Sequence, residues 1–232
     1  MPVLLLELAA PWQAWGSESR FTRRATEPMP TKSGVVGLLA AAEGRRRTDP
    51  VEDLVKLRFG VRADQVGVSQ TDFQTAIDWR TGESKPLSHR AYLSDARFLV
   101  ALEGGRELLD GLAEAIRRPT FPLYLGRRSC PASGRIVRGV KEASLEEALR
   151  TEPWLAAEWY RRRQPRAASL AISRDARLDE AADERLHDVP VSFDPRRRDY
   201  AWRSVRHEWV RVDNPSGLDP AGHDPFSLLG GG

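Results

Sequence analysis

Between residues 3 and 140 the chain alternates apolar runs with helix-patterned segments, and that order is its strongest constraint on fold. Residues 3–9 are apolar except for Glu7 and stop at Pro11, the pattern of a buried strand. Residues 33–44 (SGVVGLLAAAEG) place Val36, Leu39 and Ala40 at helical spacing, with Ser33 as the expected cap and Gly44 as the stop. A short second helix is expected from Asp49 as cap with Pro50 at its first position. Residues 59–64 alternate apolar and polar side chains, as a half-buried strand does. Residues 96–102 form the next apolar run. Leu108, Leu109, Leu112 and Ile116 then mark an amphipathic helix over 106–116, and residues 136–140 form a last strand.

The resulting order, strand–helix–strand–strand–helix–strand, is that of an α+β ferredoxin-like (RRM-like) β-α-β-β-α-β domain. We place this domain at residues 1–142. Inside it, residues 66–92 are polar, glycine-punctuated and weakly apolar. They read as an extended arm or long hairpin with Thr81–Gly82 at its tip. Residues 143–232 read as a small, mostly β extension: a short helix over 145–150, then strand-like runs at 168–172, 189–193 and 200–212, and a frayed end, PFSLLGGG.

Charge narrows the function. The net charge is only +3, yet the basic side chains are almost all arginine, the lysines being Lys32, Lys56, Lys85 and Lys141. A G- and C-rich genome would raise arginine everywhere, but not segregate it. From Arg117 to Lys141 there are seven basic residues (Arg117, Arg118, Arg127, Arg128, Arg135, Arg138, Lys141) and no acid, a stretch suited to an anion. No apolar run is long enough to span a bilayer, and the N-terminus lacks a basic leader region, so the expectation is a cytoplasmic chain without membrane contact. A single cysteine, Cys130, excludes an internal disulfide and a cysteine-ligated metal site. The scattered His89, His187, His207 and His223, with no HExxH, paired DxD or GxSxG, give no metal site and no hydrolase signature. No cofactor is expected.

Four local motifs carry chemistry. Pro11-Trp12-Gln13-Ala14-Trp15-Gly16 follows the first strand and offers Gln13 as a hydrogen-bonding amide, Trp15 as a stacking ring and Gly16 for close backbone approach. In Pro30-Thr31-Lys32-Ser33-Gly34-Val35-Val36-Gly37, Lys32, Ser33 and Gly34 sit at a helix N-terminus, where free N–H groups and the dipole favour phosphate. The GxxxxGK[ST] pattern is absent, so nucleotide hydrolysis is not supported. Leu123-Tyr124-Leu125-Gly126-Arg127-Arg128-Ser129-Cys130-Pro131 is a fixed turn with donors at Arg127, Arg128 and Ser129; Cys130 reads as a small buried residue. His89-Arg90-Ala91-Tyr92 closes the polar arm, where Arg90 and Tyr92 are placed to clamp a backbone or stack on a base. His89 with Tyr92 is the alternative, an acid–base pair.

These four motifs, in this order and spacing (the fourth read on as Arg90-Ala91-Tyr92-Leu93-Ser94-Asp95-Ala96), resemble the CasD family of the type I-E CRISPR surveillance complex, Cascade. The resemblance covers about the first 140 residues and is loose beyond them. It implies an RRM-like fold whose arm is a protruding thumb. It also implies a non-catalytic subunit that grips the 5′ handle of the crRNA, caps the backbone of repeated subunits and neighbours the large subunit. Target DNA would be met only through the complex. In a sister subtype the equivalent subunit cuts RNA without metal, so a metal-independent endoribonuclease processing CRISPR repeat RNA is the alternative. Under the first reading, Lys32, Ser33, Gly34, Arg127 and Arg128 hold phosphates, and Gln13, Trp15 and Tyr92 read or stack splayed bases.

Overall fold

The protein, seen in a computed structural model, is described over residues 1–16, 19–20 and 23–218; the expected frayed end lies outside the described residues. It is a mixed α/β structure organised on antiparallel sheets. Strand β1 (Pro2–Ala9) is followed by three two-residue strands, β2 (Trp12–Gln13), β3 (Ser19–Arg20) and β4 (Arg23–Arg24). Helices α1 (Lys32–Ala42) and α2 (Glu52–Val55) lead into β5 (Arg58–Gln65), β6 (Val68–Ile77), β7 (Ser84–Ser94) and β8 (Arg97–Glu103). Then come α3 (Arg106–Arg117), β9 (Val137–Glu142), α4 (Leu145–Thr151) and α5 (Glu158–Arg161). Strands β10 (Ala167–Asp175), β11 (Glu184–Ser192) and β12 (Asp199–Asp213) complete the chain.

The main sheet has the order β11-β12-β10-β5-β8-β1-β9, every neighbour antiparallel. The C-terminal strands thus continue the central sheet, β10 pairing with β5 through Ile172↔Arg62 to Arg174↔Gly60. Strand alternation divides β1 between two apolar layers. Leu4, Leu6 and Leu8 pack toward α1 and α3, together with Leu39, Leu109, Leu112 and Ile116. Val3 and Leu5 face the opposite layer, with Leu145 and Leu149 of α4. Each fully buried leucine contributes on the order of 1.5–3 kcal/mol. Among the described residues no helix is long and apolar enough to cross a membrane.

The polar arm is a hairpin, β6 paired with β7, standing out from the main sheet with Phe73, Ile77 and Trp79 exposed. Its turn is closed by Gly82 donating to the Asp78 carbonyl at 2.8 Å, with Gly82 at φ +72°, where a side chain would be strained.

Three local expectations need correction. The cap of α1 is Thr31, whose hydroxyl accepts from the Gly34 amide at 3.2 Å, and Ser33 lies inside the first turn. Helix α2 starts at Glu52, because Asp49 is used to accept from the Arg46 amide at 2.7 Å. Strand β5 is buried on both faces: its charged pair, Arg62 and Asp64, is covered by the chain around residues 149–155.

Ion pairs fasten α4 to the sheet. Glu146 accepts from Arg58 at 2.8 Å and from Arg177 at 3.0 Å. Burial pushes its carboxyl up, but these two arginines outweigh burial and hold it at about 2, below the ordinary 4.5. A depressed carboxyl stabilises the fold above its unfolded value and loses that contribution as pH falls through the folded one. Melting temperature should therefore drop between about pH 4.5 and 2, and Glu146→Gln should flatten that limb in a thermal series. An unchanged limb would remove Glu146 from the account.

Candidate nucleic-acid interface

The turn after Leu125 is sewn to the segment after β1. The Ala14 amide donates to the Leu125 carbonyl at 3.2 Å, and the turn closes on itself by Leu125 donating to Cys130 at 2.7 Å and Cys130 to Arg127 at 2.9 Å. Gly126 has φ +89° and lies so close to the Ala14 carbonyl that a side chain there has no room. Arg127 donates to the carbonyls of Ala91 at 2.8 Å and Arg24 at 3.1 Å, and its guanidinium lies 4.5 Å over the Tyr92 ring. Trp15 lies against Gly34 of α1, where a Cβ would stand 2.8 Å from the indole. Segments more than 100 residues apart in the chain, such as those of Arg24 and Arg127, are thereby brought together.

Their meeting forms a groove of about 760 Å³. Among the described residues seven arginines line it, Arg24, Arg45, Arg46, Arg47, Arg127, Arg128 and Arg198, and no acidic residue does. Arg45 is neutralised by Glu43 at 2.7 Å and Asp53 at 2.5 Å. Arg24, Arg46, Arg47, Arg128 and Arg198 are exposed. Phe121, Phe193 and Tyr200 add rings to the lining. Such a surface suits a flexible polyanion with unstacked rings.

Of the residues expected from sequence, Trp15, Gly16, Ser33, Gly34, Arg127 and Arg128 line the groove, whereas Gln13, Lys32, Arg90, Tyr92 and Ser129 do not. Gln13 is fully buried: its amide nitrogen donates to Ala96 O at 2.7 Å and Leu8 O at 3.3 Å, and its oxygen accepts from the Trp15 indole at 3.1 Å. Both amide hydrogens are used, and the oxygen, fully buried, is out of reach of a base. Trp15 is also enclosed, with 1% of its surface exposed, and offers no free stacking face. Tyr92 is covered by Trp12, ring centroids 4.8 Å apart, and by Arg127. Lys32 is engaged inside the protein. Its ammonium sits 3.0 Å from Asp175, and its amide donates to Asp188 at 2.8 Å, so the N-terminus of α1 already has its anion. Arg90 is half-buried on β7, and Ser129 is exposed beside the groove turn. Cys130 is buried, and burial pushes its thiol up.

His89 and Tyr92 are three residues apart on β7, so they point to opposite faces and form no acid–base couple. Sequence reasoning missed Arg24, Arg46, Arg47 and Arg198. The signal was present in the arginine runs 45–47 and 196–198.

A family model described as CRISPR-associated protein (Cas_Cas5) matches residues 3–206. The CRISPR system Cascade subunit CasD of Escherichia coli (strain K12) is 36% identical over 161 residues, covering 61% of this chain and 72% of that protein. A solved structure described as a Cas protein shares 41% identity with a TM-score of 0.71, covering 94% of this chain and 98% of its own. A chain of a CRISPR RNA-guided surveillance complex shares 30% identity with a TM-score of 0.74, covering 98% of each. The family match runs through both the central sheet and the groove turns, and the chain belongs to the Cas5 family of CRISPR-associated proteins.

Proposed function

We propose that this chain is the non-catalytic RNA-binding subunit of a type I-E Cascade complex and that its arginine groove grips the 5′ handle of the crRNA. The groove is the observation that carries the reading: seven arginines and, among the described residues, no acid around a cleft lined by three of the four motifs, with the fourth held beneath it by Arg127. The names of the relatives, a Cascade subunit and an RNA-guided surveillance complex, agree with it. Arg24, Arg46, Arg47, Arg128 and Arg198 are the phosphate-holding residues in this reading. Gln13, Trp15, Lys32, Tyr92 and Arg127 act beneath them, holding the turns in place. The backbone and large subunits of Cascade are the protein partners, target DNA is reached through the complex, and the setting is the cytoplasm.

Within this proposal the core is ferredoxin-like. Support comes from the order β5-β8-β1-β9, in which the second, third, first and fourth strands of the β-α-β-β-α-β unit lie side by side with α1 and α3 in one layer. Residues 1–142 make that unit, the β6–β7 hairpin is its thumb, and residues 143–232 are the extension. The separation of His89 from Tyr92 onto opposite strand faces supports a non-catalytic role over RNA cleavage.

The test is binding of the crRNA 5′ segment by the full chain at several salt concentrations. Replacing Arg46, Arg47 and Arg128 together by alanine should weaken binding on the order of 100-fold. Each lost phosphate contact on a single strand should also lower the salt slope by roughly 0.7, about 2 in all. Unchanged affinity and slope would reject the groove as the RNA site.

A further inference from the structure

Building on the groove reading, we infer that the β11–β12 hairpin carries a second RNA contact, a ring ladder on which a base stacks as the strand leaves the groove. One wall of the groove is this hairpin: Phe193, Arg198 and Tyr200 all line it. From Tyr200 the rings continue outward. The His187 ring lies 6.2 Å from Tyr200 and 4.8 Å from Trp202, tilted 32° to the indole. Its Nε2 is 2.8 Å from the Tyr200 carbonyl, which can only accept, so that nitrogen carries the hydrogen and the ring is held in one orientation. Arg185 stands 5.9 Å over Trp202.

Trp202 ends the ladder with 59% of its surface exposed. A large apolar ring left open, backed by a fixed imidazole and flanked by the Arg185 guanidinium, is the arrangement that stacks unpaired bases without regard to sequence. The hairpin is anchored to the groove, not hung from it. Asp188, next to His187, takes the amide of Lys32 at 2.8 Å and Arg203 at 2.6 Å, and the Phe193 ring lies 3.7 Å from where a Cβ on Gly37 of α1 would stand. The ladder and the groove thus present one continuous track of rings and positive charge.

The test uses the full chain and the fluorescein-labelled 5′ segment of its crRNA, with a single abasic unit walked along the RNA. Trp202→Ala should weaken binding about tenfold. The salt slope should stay unchanged, because no phosphate contact is lost. Trp202→Phe should restore most of the affinity, and one abasic position should abolish the difference between the variant and the parent. Full affinity in Trp202→Ala would overturn the inference, and the combined Arg46, Arg47 and Arg128 variant reports separately on the groove. If that arginine variant binds normally while Trp202→Ala does not, the groove reading fails and the ladder stands. Normal RNA binding by Trp202→Ala with loss of assembly into the multi-subunit complex would make this face a protein contact and reject the inference.

Discussion

Gly126→Ala is expected to lower the melting temperature by roughly 10 °C and to weaken RNA binding in the folded protein. The glycine has φ +89°, which costs an L-residue about 1–2 kcal/mol. Any Cβ would also fall within bonding range of the Ala14 carbonyl oxygen, and backbone cannot yield as the end of a side chain can. The two strands of chain must separate, which breaks the Ala14–Leu125 hydrogen bond at 3.2 Å and contributes on the order of another 1 kcal/mol. A total near 3 kcal/mol gives about the stated shift for a chain of this size. The same separation displaces Arg127 and Arg128 from the groove and moves Trp15 against Gly34. A thermal melt and a binding titration check both parts. A variant that melts within a degree or two of the parent would show that the turn does not depend on this close approach.

The elements legible in the sequence were those whose signal is local. Helix α3 announces itself through Leu109, Leu112 and Ile116 at helical spacing, and the β6–β7 tip through Gly82. What was not legible depends on partners far along the chain. The alternation in β5 resembles a half-exposed strand because Arg62 and Asp64 are charged, and only the chain around residues 149–155 covers them. Lys32 looks like a phosphate ligand until Asp175 and Asp188 arrive from strands more than 140 residues later. Gln13, Trp15 and Tyr92 have the right chemistry for bases, but the turns that gather them also close over them. The exposed Arg46, Arg47 and Arg198 face the groove because α1 and the β11–β12 hairpin bring them there; no spacing in the sequence encodes that meeting.

Arg62→Met should cost about 3–5 kcal/mol, the usual penalty for removing one member of a buried ion pair. Arg62 is wholly buried and donates to Asp64 at 2.6 and 2.8 Å and to the carbonyls of Leu149, Glu152 and Pro153 at 2.7, 2.8 and 2.9 Å. Its loss leaves those three carbonyls without this donor and the Asp64 carboxylate with the Leu155 amide but no countercharge. Burial already pushes the Asp64 carboxyl above its ordinary value although Arg62 draws it down, so without the arginine that group is held to fold in its neutral form. The double variant Arg62→Met/Asp64→Leu removes the charge as well. It should recover part of the loss, leaving the unpaired carbonyls and the Leu155 amide that now donates to Asp64 at 2.6 Å. Urea unfolding of the parent, Arg62→Met, Asp64→Leu and the double variant gives the coupling directly, and an Arg62→Met loss below about 1 kcal/mol would contradict the account. The α4 layer that this pair supports lies across the sheet from α1 and the groove. RNA affinity of the folded fraction should therefore stay at the parental value, which separates the residues that hold the molecule together from the arginines that hold its ligand.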